Sequence, residues 1–295
     1  MFKNLTLISN QNRTFSQGGC LNSRATTSRN ATSMVNSAIN SEDYAMRWNL
    51  TNFKIEKLHY GGNFPNLADE EKVSQALSEL IQRPSRPKEE KIKYKELSCT
   101  KISMNFFDKL YTHQPNIVHN SGRIHACFQD NRNDICPGVV FRDQLVKALL
   151  NYDEDEYFVF SDADRKEFLF RIFQFLVIGG PINQYEDEIG IYIEGTRSLY
   201  KDMVSVSKNK DGEICVDSKV FEVYVETIPK DRNNNDDDDD NDNDGDSDDD
   251  ESRCIFPDNA SSYDFVHPQS FCYVVVNEKD HLVTVFQNIW TGNKF

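Results

Sequence analysis

The sequence lacks a long apolar run and lacks paired cysteines. Its most apolar stretch, 168–178, contains Arg171 and is shorter than the roughly 18–20 residues that a membrane-spanning helix needs. The amino terminus carries no apolar segment of the signal-peptide type. The seven cysteines are scattered, odd in number and never form a Cys-x-x-Cys pair, which is typical of reduced cytosolic thiols. These absences predict a cytoplasmic protein without membrane insertion.

Acidic residues are missing from 1–41, where arginine, serine and threonine are frequent. That composition also occurs in mitochondrial transit peptides, which is one alternative for this segment. Residues 2–8 instead alternate like a strand, and 16–41 have little apolar content. We therefore expect 16–41 to be a disordered Ser/Thr/Asn-rich insertion rather than a targeting helix.

An excess of one charge is confined to one part of the chain. The formal net charge is −15, but residues 233–251 hold 12 acidic and no basic side chains. The remainder carries 33 basic and 36 acidic side chains, so it is close to neutral. A near-neutral body offers no electrostatic basis for binding nucleic acid. We interpret 231–253 as a second disordered insertion, rich in Asn and Asp.

The sequence motifs of common enzymes are also absent. There is no G-x-S-x-G, Walker A, G-x-G-x-x-G or H-E-x-x-H pattern. The consecutive carboxylates Glu186, Asp187 and Glu188 could act as acid and base, but such a run is more typical of the start of a helix, where the macrodipole favours negative charge. We predict no catalytic and no cofactor-binding residues. A cytosolic enzyme with an unrecognised site remains the alternative.

The acidic run contains a match to the calcium-loop pattern of EF-hands. The pattern is carried by Asp240, Asp242, Asp244, Gly245 and Glu251. In an EF-hand these oxygens surround one calcium ion between two helices. The residues that precede the pattern here are Asn and Asp rather than an amphipathic helix, so we favour a solvated, self-repelling loop. A calcium-responsive protein is kept as a further alternative.

A second group of potential metal ligands consists of His113, His119, His125, Cys127 and Cys136. Structural zinc sites usually contain a tight pair such as Cys-x₂₋₄-Cys, and the spacings here are narrower or wider than that. We therefore expect Cys127 to be a small buried apolar residue and the histidines to lie on loops. No metal ligand is predicted.

Alternation and periodicity predict a mixed fold. Strands are expected at 2–8, 53–60 and 97–103, with hairpins formed by 213–217 with 219–226 and by 270–276 with 281–287. Helices are expected at 67–81, through Phe106 to Tyr111, at 141–151 and within 184–203, with a linker at 83–93. Strands at both ends with helices between them predict an α+β class, as one domain over 1–295.

The strongest helix signal begins at Ser161. Ser161 and Asp164 have the spacing of a capping box, in which each side chain bonds a free backbone amide. The helix is expected to continue through 168–177, where apolar residues cover most faces, and to stop at 179–181. A helix that is apolar on most faces should be central and buried.

Several blocks between Ser98 and Lys210 form a more specific pattern. They are 98–107 (Ser-Cys-Thr-Lys-Ile-Ser-Met-Asn-Phe-Phe), 121–124 (Ser-Gly-Arg-Ile), 164–170 (Asp-Arg-Lys-Glu-Phe-Leu-Phe), 179–180 (Gly-Gly), 184–187 (Gln-Tyr-Glu-Asp) and 200–209 (Tyr-Lys-Asp-Met-Val-Ser-Val-Ser-Lys-Asn). In this order and spacing they resemble the cilia- and flagella-associated protein 300 family. The segments 16–41 and 231–253 depart from the family pattern.

The resemblance implies a non-enzymatic protein of motile cilia and flagella, present in the cytoplasm and along the cytoskeletal axoneme of this cell projection. It implies a role in the assembly or transport of outer and inner dynein arms. The implied partners are a cytoplasmic dynein preassembly factor of the kintoun type and axonemal dynein components. The family supplies no catalytic residues that map onto this chain.

Four residues of one family-like block are candidates for contact with a partner. Gln184, Tyr185, Glu186 and Asp187 follow a predicted helix stop, where side chains are accessible. Tyrosine is a frequent anchor in protein interfaces. The alternative is that Tyr185 packs on the preceding helix while the acids cap the next one.

Overall fold

The computed structural model of the chain combines an antiparallel sheet with helices on both of its faces. It describes residues 33–35, 46–48, 53–61, 63–66, 69–80, 91–130, 135–136, 138–179, 186–226, 253–254 and 269–288. The strand predicted at 2–8 and the calcium-loop pattern at 240–251 lie outside the described residues. So do the linker positions 83–90 and most of the two predicted insertions.

The strands of the described residues are numbered in chain order. They are β1 (Ser33–Val35), β2 (Lys54–His59), β3 (Lys91–Leu97), β4 (Ala126–Asp130), β5 (Phe141–Asp143), β6 (Val206–Lys208), β7 (Ile214–Val216), β8 (Lys219–Glu226), β9 (Arg253–Cys254), β10 (Phe271–Asn277) and β11 (Leu282–Asn288).

The helices of the described residues are numbered in the same way. They are α1 (Glu70–Leu80), α2 (Lys109–Thr112), α3 (Gln144–Leu150), α4 (Asp162–Arg165), α5 (Phe168–Ile178) and α6 (Ile189–Met203), with 3₁₀ turns at Met104–Phe107 and Asp155–Val159. Among these helices, none combines the length and apolar composition needed to cross a bilayer.

The main sheet has the order β1-β2-β11-β10-β8-β3, and each neighbouring pair is antiparallel. Strand β9 pairs with the second half of β8, whose first half pairs with β10. Two short antiparallel pairs, β4–β5 and β6–β7, form separate ribbons. The sheet therefore brings together strands from both ends of the chain.

Both faces of the main sheet are covered. On β10, Phe271, Tyr273 and Val275 belong to one apolar cluster, which includes helices α5 and α6. The alternate residues of the same strand belong to a second cluster, which includes Val73 and Leu77 of α1. Successive side chains of a strand point to opposite faces, so a strand that is covered on both sides is apolar throughout. This explains why all seven residues of β10 are buried.

Helix α5 lies at the centre of the larger cluster, as its sequence predicted. Nine of its residues are buried. The ring of Phe175 packs 4.6 Å from that of Phe271 and 5.9 Å from that of Phe286 on the sheet. Burying one such ring contributes about 1.5–3 kcal/mol relative to leaving it in water. The α+β class with a central buried helix is thus confirmed.

Other elements agree with the sequence to within a few residues. The strand expected at 53–60 is β2, and the helix expected at 67–81 is α1. The last hairpin forms from β10 and β11, with Phe271 opposite Asn288 and Asn277 opposite Leu282. The capping box is present, because Ser161 accepts from the amide of Asp164 and Asp164 accepts from the amide of Ser161.

The hairpin expected from 213–217 and 219–226 is wrong. Strand β7 pairs with β6, and β8 pairs with β10 and β3. Asn209 explains the closer pairing, because its side-chain oxygen accepts from the amides of Asp211 and Glu213 and closes the turn between β6 and β7. Asx turns of this kind compete locally with other pairings.

The strand expected at 97–103 is also misplaced. The strand is β3, which begins at Lys91 in the predicted linker and ends at Leu97. It lies at the end of the described sheet, where lysine side chains are tolerated and discourage further pairing. Because of these charged side chains, the sequence pattern of β3 was interpreted as a linker rather than as a strand.

Two predicted helices begin later than expected. Helix α3 starts at Gln144, because Asp143 ends strand β5 and accepts from the amide of Val146 as the N-cap. Helix α6 starts at Ile189 rather than near 184. In both cases the preceding residues pair with another segment.

The helix expected to run on from Ser161 is broken into α4 and α5. The break falls at Glu167, whose backbone bridges to Ser98 in parallel. Its buried carboxylate accepts from the hydroxyl of Ser98 at 2.7 Å and from the hydroxyl and amide of Thr100 at 2.6 and 3.0 Å. Three donors on a distant segment thus hold the bend.

Small parts of the two predicted insertions are ordered. Ser33–Val35 pairs with β2 as strand β1, and Arg253, at the end of the acidic insertion, begins β9. Edge pairing of this kind uses backbone groups, so it does not require an apolar side-chain pattern. The boundaries 16–41 and 231–253 otherwise stay predictions.

Candidate functional site

The described half of the candidate block, Glu186 and Asp187, lies immediately before helix α6 and beside the segment 122–124. The amide of Ile124 donates to the carbonyl of Asp187 at 2.8 Å, and the amide of Ile189 donates to the carbonyl of Gly122 at 3.0 Å. The backbone of Arg123 bridges that of Glu188 in antiparallel fashion. This pairing positions the acidic residues at a junction of two chain segments.

The carboxylate of Glu186 is engaged within the chain. It lies 2.5 Å from a guanidinium nitrogen of Arg47, whose side chain is itself half exposed. The next residue, Trp48, is buried and packs 5.6 Å from the ring of Tyr192. The segment 46–48 is therefore attached to the start of α6 by one ion pair and one aromatic contact.

Behind this ion pair lies a buried polar group centred on Tyr192. The hydroxyl of Tyr192 accepts from the amide of Glu186 at 3.2 Å and from the guanidinium of Arg142 at 3.1 Å. Arg142 also lies 3.1 Å from the carboxylate of Asp143, the N-cap of α3. One phenol thus connects the junction before α6 with the start of α3.

The ionisation of this group follows from its burial. Burial raises the pKa of Tyr192 to about 12, against the opposing effect of the Arg142 charge. Burial also raises the pKa of Asp143, while Arg142 and the amide of Val146 act to lower it. A phenol that stays protonated and a carboxylate used as a helix cap are both suited to structural hydrogen bonding.

Asp187 is the most accessible part of the block. Its side chain is 80% exposed and lies 3.8 Å from Arg123, which is 70% exposed. An exposed pair at that separation contributes little to folding. The two side chains are therefore available to a partner.

The geometry addresses the capping alternative for this block, while contact of the block with a partner stays a prediction. Gln184 and Tyr185 lie outside the described residues, so their role stays a prediction. The acidic residues do precede a helix, but Glu188 at its N-cap makes no side-chain capping bond. The amide of Ile189 is satisfied by the carbonyl of Gly122 instead. Capping by these carboxylates is thus replaced by backbone pairing.

Among the described residues, the five potential metal ligands do not form one group that could hold an ion. The rings of His119 and His125 stack with centroids 3.5 Å apart, and partial burial and the neighbouring His119 lower the pKa of His125. Both lie on loops, as does His113. In the part of the chain that the structure describes, no three His, Cys, Asp or Glu side chains come together to hold a metal ion.

The two cysteines of this group differ in environment. Cys127 is half buried rather than fully buried, and its thiol lies within hydrogen-bonding distance of the carbonyls of Phe128 and Phe141. Cys136 is buried, and this burial raises its thiol pKa to about 12. A protonated, buried thiol is a poor nucleophile and a poor metal ligand.

Comparison with known proteins adds the decisive observation. The family model described as cilia- and flagella-associated protein 300 matches residues 26–243. The chain belongs to this family. Membership associates it with cilia and flagella. No solved structure matches the chain significantly.

Two curated members of this family are similar to the chain. Cilia- and flagella-associated protein 300 of Paramecium tetraurelia is 34% identical over 199 residues, which are 68% of this chain and 64% of that protein. The protein of the same name from Chlamydomonas reinhardtii is 34% identical over 128 residues, 43% of this chain and 48% of that protein. The chain thus spans between about half and two thirds of the length of these relatives.

One buried polar cluster within the family-like blocks escaped sequence reasoning. The hydroxyl of Tyr200 donates to the carbonyl of Lys101 at 2.8 Å and lies 3.3 Å from the thiol of Cys99. Burial raises the pKa of Cys99 to about 12 and also raises that of Tyr200. Both groups therefore stay protonated and join the segment 98–101 to helix α6. The sequence signal for this contact was that Cys99 and Tyr200 each belong to one of the family-like blocks, 98–107 and 200–209.

Proposed function

We propose that the chain is a non-enzymatic factor specific to cilia and flagella, which acts in the assembly or transport of outer and inner dynein arms. It works through protein–protein contacts, in the cytoplasm and along the axoneme. Its partners are a cytoplasmic dynein preassembly factor of the kintoun type and axonemal dynein components. The observation that carries the proposal is the family match over 26–243.

The chemistry of the buried polar residues supports a contact function. Tyr192, Tyr200 and Glu167 each bond distant segments of the chain to one another. Burial holds the thiol of Cys99 and the phenol of Tyr192 in their protonated forms. These groups stabilise a body that can present surfaces, which is what an assembly factor needs.

The exposed charges beside helix α6 are the surface that we assign to the partner. Asp187 and Arg123 are mostly exposed, and Asp187 follows the family-like residues Gln184 and Tyr185 in the sequence. Exposed charges at the edge of an interface chiefly affect the rate and selectivity of association. Tyr185 would supply the aromatic anchor.

The role in cilia is tested by deleting the gene in a flagellated cell and examining axoneme cross-sections by electron microscopy. We expect outer and inner dynein arms to be reduced and motility to be lost, with recovery when the full chain is restored. Intact arms and normal beating in the deletion strain would remove the proposal.

The contact surface is tested with purified full-length chain and a kintoun-type factor. The variants Tyr185→Ala and Asp187→Arg are expected to weaken binding while the circular dichroism spectrum and unfolding midpoint stay unchanged. Lys210→Glu, a charge reversal at an exposed residue of the turn between β6 and β7, is the matched control. Unchanged binding in Tyr185→Ala and Asp187→Arg would locate the contact elsewhere.

A further inference from the structure

Two arginine side chains near the end of helix α3 have no acidic partner among the described residues. Arg165 is the last residue of α4 and is only 9% exposed. Arg171 lies on the next helix, α5, and is partly buried. Neither guanidinium forms an ion pair with a described carboxylate. Buried charges are normally paired, so these two cations need an explanation.

Backbone carbonyls at the end of α3 hold Arg165 in place. Its terminal nitrogens donate to the carbonyls of Ala148 at 2.8 Å and Leu149 at 3.0 Å, and also to the carbonyl of Tyr157. The guanidinium lies 3.4 Å from the centre of the Tyr157 ring. The end of a helix carries only about half of a negative charge, so these acceptors orient the guanidinium without neutralising it.

Arg171 lies beside this group. Three residues further along α5, Gln174 donates to the same carbonyl of Leu149 at 3.3 Å, so the two arginines belong to one junction between α3 and α5. Burial lowers the pKa of Arg165, and the positive charge of Arg171 lowers it further. The two cations are therefore close enough to repel each other.

Two carboxylates influence Arg165 without forming an ion pair with it. Asp162 and Asp164 act to raise the pKa of Arg165, against the larger effect of burial. Asp164 already accepts from Lys109 and from Ser161, and Asp162 is exposed. The described carboxylates thus leave the positive charge of the junction without a counterion.

Unpaired donors add an independent observation. The Nε atoms of both Arg165 and Arg171 are buried and make no hydrogen bond within the described residues. A buried donor without an acceptor is unfavourable. An anion with several acceptor oxygens would satisfy these donors and offset the repulsion between the two guanidinium groups.

We propose that Arg171 and Arg165 form a binding site for a phosphate group. The partly accessible side chain of Arg171 turns its Nε and one terminal nitrogen toward two phosphate oxygens, while Arg165 attracts the anion from behind. A phosphate group carries a charge of about −1.5 to −2 at pH 7, which matches two cations better than one carboxylate does. It belongs to a phosphorylated residue of a protein partner or to a free phosphate compound. The inference goes beyond the proposed function and uses none of the residues of the Asp187 contact.

Inorganic phosphate is the first probe. Its binding to the full-length chain is measured from the phosphorus NMR shift at constant ionic strength. We expect a dissociation constant on the order of 1 mM, because the ligand is small and makes few contacts. The formal net charge of −15 keeps non-specific attraction of phosphate low. Absence of binding to the native chain would overturn the inference.

Variants of Arg171 assign the binding to this junction. Arg171→Met should abolish it, and Arg171→Lys, which keeps the charge but loses the fork of two donors, should bind about tenfold more weakly. Arg197→Met is the matched control, because Arg197 is also a partly buried helical arginine but is paired with Glu194. Native circular dichroism spectra show that the variants are folded. Unchanged affinity in both Arg171 variants, or equal loss in Arg197→Met, would refute the assignment.

A second titration separates the two sources of the phosphate group. It uses a short alanine peptide with one phosphoserine, and the same peptide with glutamate in that position as its control. If the phosphopeptide binds at least as tightly as inorganic phosphate, the site takes a phosphorylated segment of a partner. If it binds more weakly, the site takes a free phosphate compound. A glutamate peptide that binds as tightly as both phosphate probes would show that the site does not select phosphate, and the inference would fail.

Discussion

At the scale of single residues, Gly195 is important for the attachment of Trp48. A methyl group at Gly195 would lie 2.8 Å from Cζ2 of Trp48 and 3.1 Å from Cδ1 of Leu176. Glycine within a helix costs stability, so its presence in α6 is explained by this close approach of a ring. The same contact holds Arg47 near Glu186, which links a packing residue to the candidate site.

We predict that Gly195→Ala destabilises the chain. The clash should cost about 1–3 kcal/mol and should outweigh the gain in helix propensity of about 1 kcal/mol. Urea unfolding followed by circular dichroism measures the difference. Gly190→Ala in the same helix is the control, because no atom lies within 4 Å of its added methyl group. The control should be slightly stabilised, and similar behaviour of the two variants would contradict the packing argument.

At the scale of elements, Glu167 decides where one helix ends and the next begins. Its carboxylate receives three hydrogen bonds from Ser98 and Thr100. Apolar periodicity alone favoured a continuous helix through this position. The bend was not predictable, because the donors lie about seventy residues away in sequence.

Glu167→Gln tests this bend. The remaining oxygen could still accept from the two hydroxyls, but the new NH₂ group would face the amide of Thr100, so we expect a loss of about 1.5–3 kcal/mol in the free energy of unfolding. Glu194→Gln on helix α6 loses only an exposed pair with Arg197 and should change stability by about 0.5 kcal/mol or less. Equal effects in the two variants would argue against a structural role for the bend.

The capping box at the start of α4 makes stability depend on pH. Burial alone would raise the pKa of Asp164, but hydrogen bonds from Lys109 and Ser161 outweigh it and hold that pKa below its ordinary value of 3.8. A carboxyl whose pKa is lower in the folded state stabilises the fold above its unfolded pKa. That contribution is lost as the pH falls through the folded pKa.

We therefore expect the free energy of unfolding to decrease below about pH 4 in the native chain. The decrease should be smaller in Asp164→Asn. Urea titrations from neutral to acidic pH measure both, and Lys109→Met should also reduce the dependence, because it removes the 2.7 Å ion pair. The same pH dependence in the native chain and Asp164→Asn would refute the assignment.

At the scale of the whole molecule, a buried ion pair joins the sheet to helix α6. Nζ of Lys57 on β2 lies 2.7 Å from the carboxylate of Asp202 and 2.6 Å from its carbonyl oxygen. The two side chains are only 9% and 4% exposed. Lys57 occupies the same face of the strand as the buried Ile55, so a charged residue here points into the core.

Lys57→Met should destabilise the molecule strongly, because it removes one half of the buried ion pair with Asp202. Breaking a buried pair in this way costs about 3–5 kcal/mol. The double variant Lys57→Met/Asp202→Leu should recover most of the loss, since apolar replacements of both partners are often tolerated. Urea unfolding of the native, single and double variants measures the coupling. A double variant no more stable than the single one would show that Asp202 acts through other contacts.

The sequence by itself determined the local features of this protein. The capping box at Ser161, the apolar helix after it and the final hairpin each depend on side chains a few residues apart, so their signals are contained in short windows. The family-like blocks, read in order, likewise led to the family that the comparisons confirm. These blocks were recognised from their local composition and their spacing along the chain.

Only the tertiary structure decided the contacts between distant segments. The pairing of β8 with β10 and β3, the bend at Glu167 and the ion pair of Lys57 with Asp202 each join residues that are far apart in the chain. The attachment of Arg47 and Trp48 beside Glu186 is of the same kind. Which partner a strand or a buried charge finds depends on the packing of the whole core, and no short window of sequence contains that information.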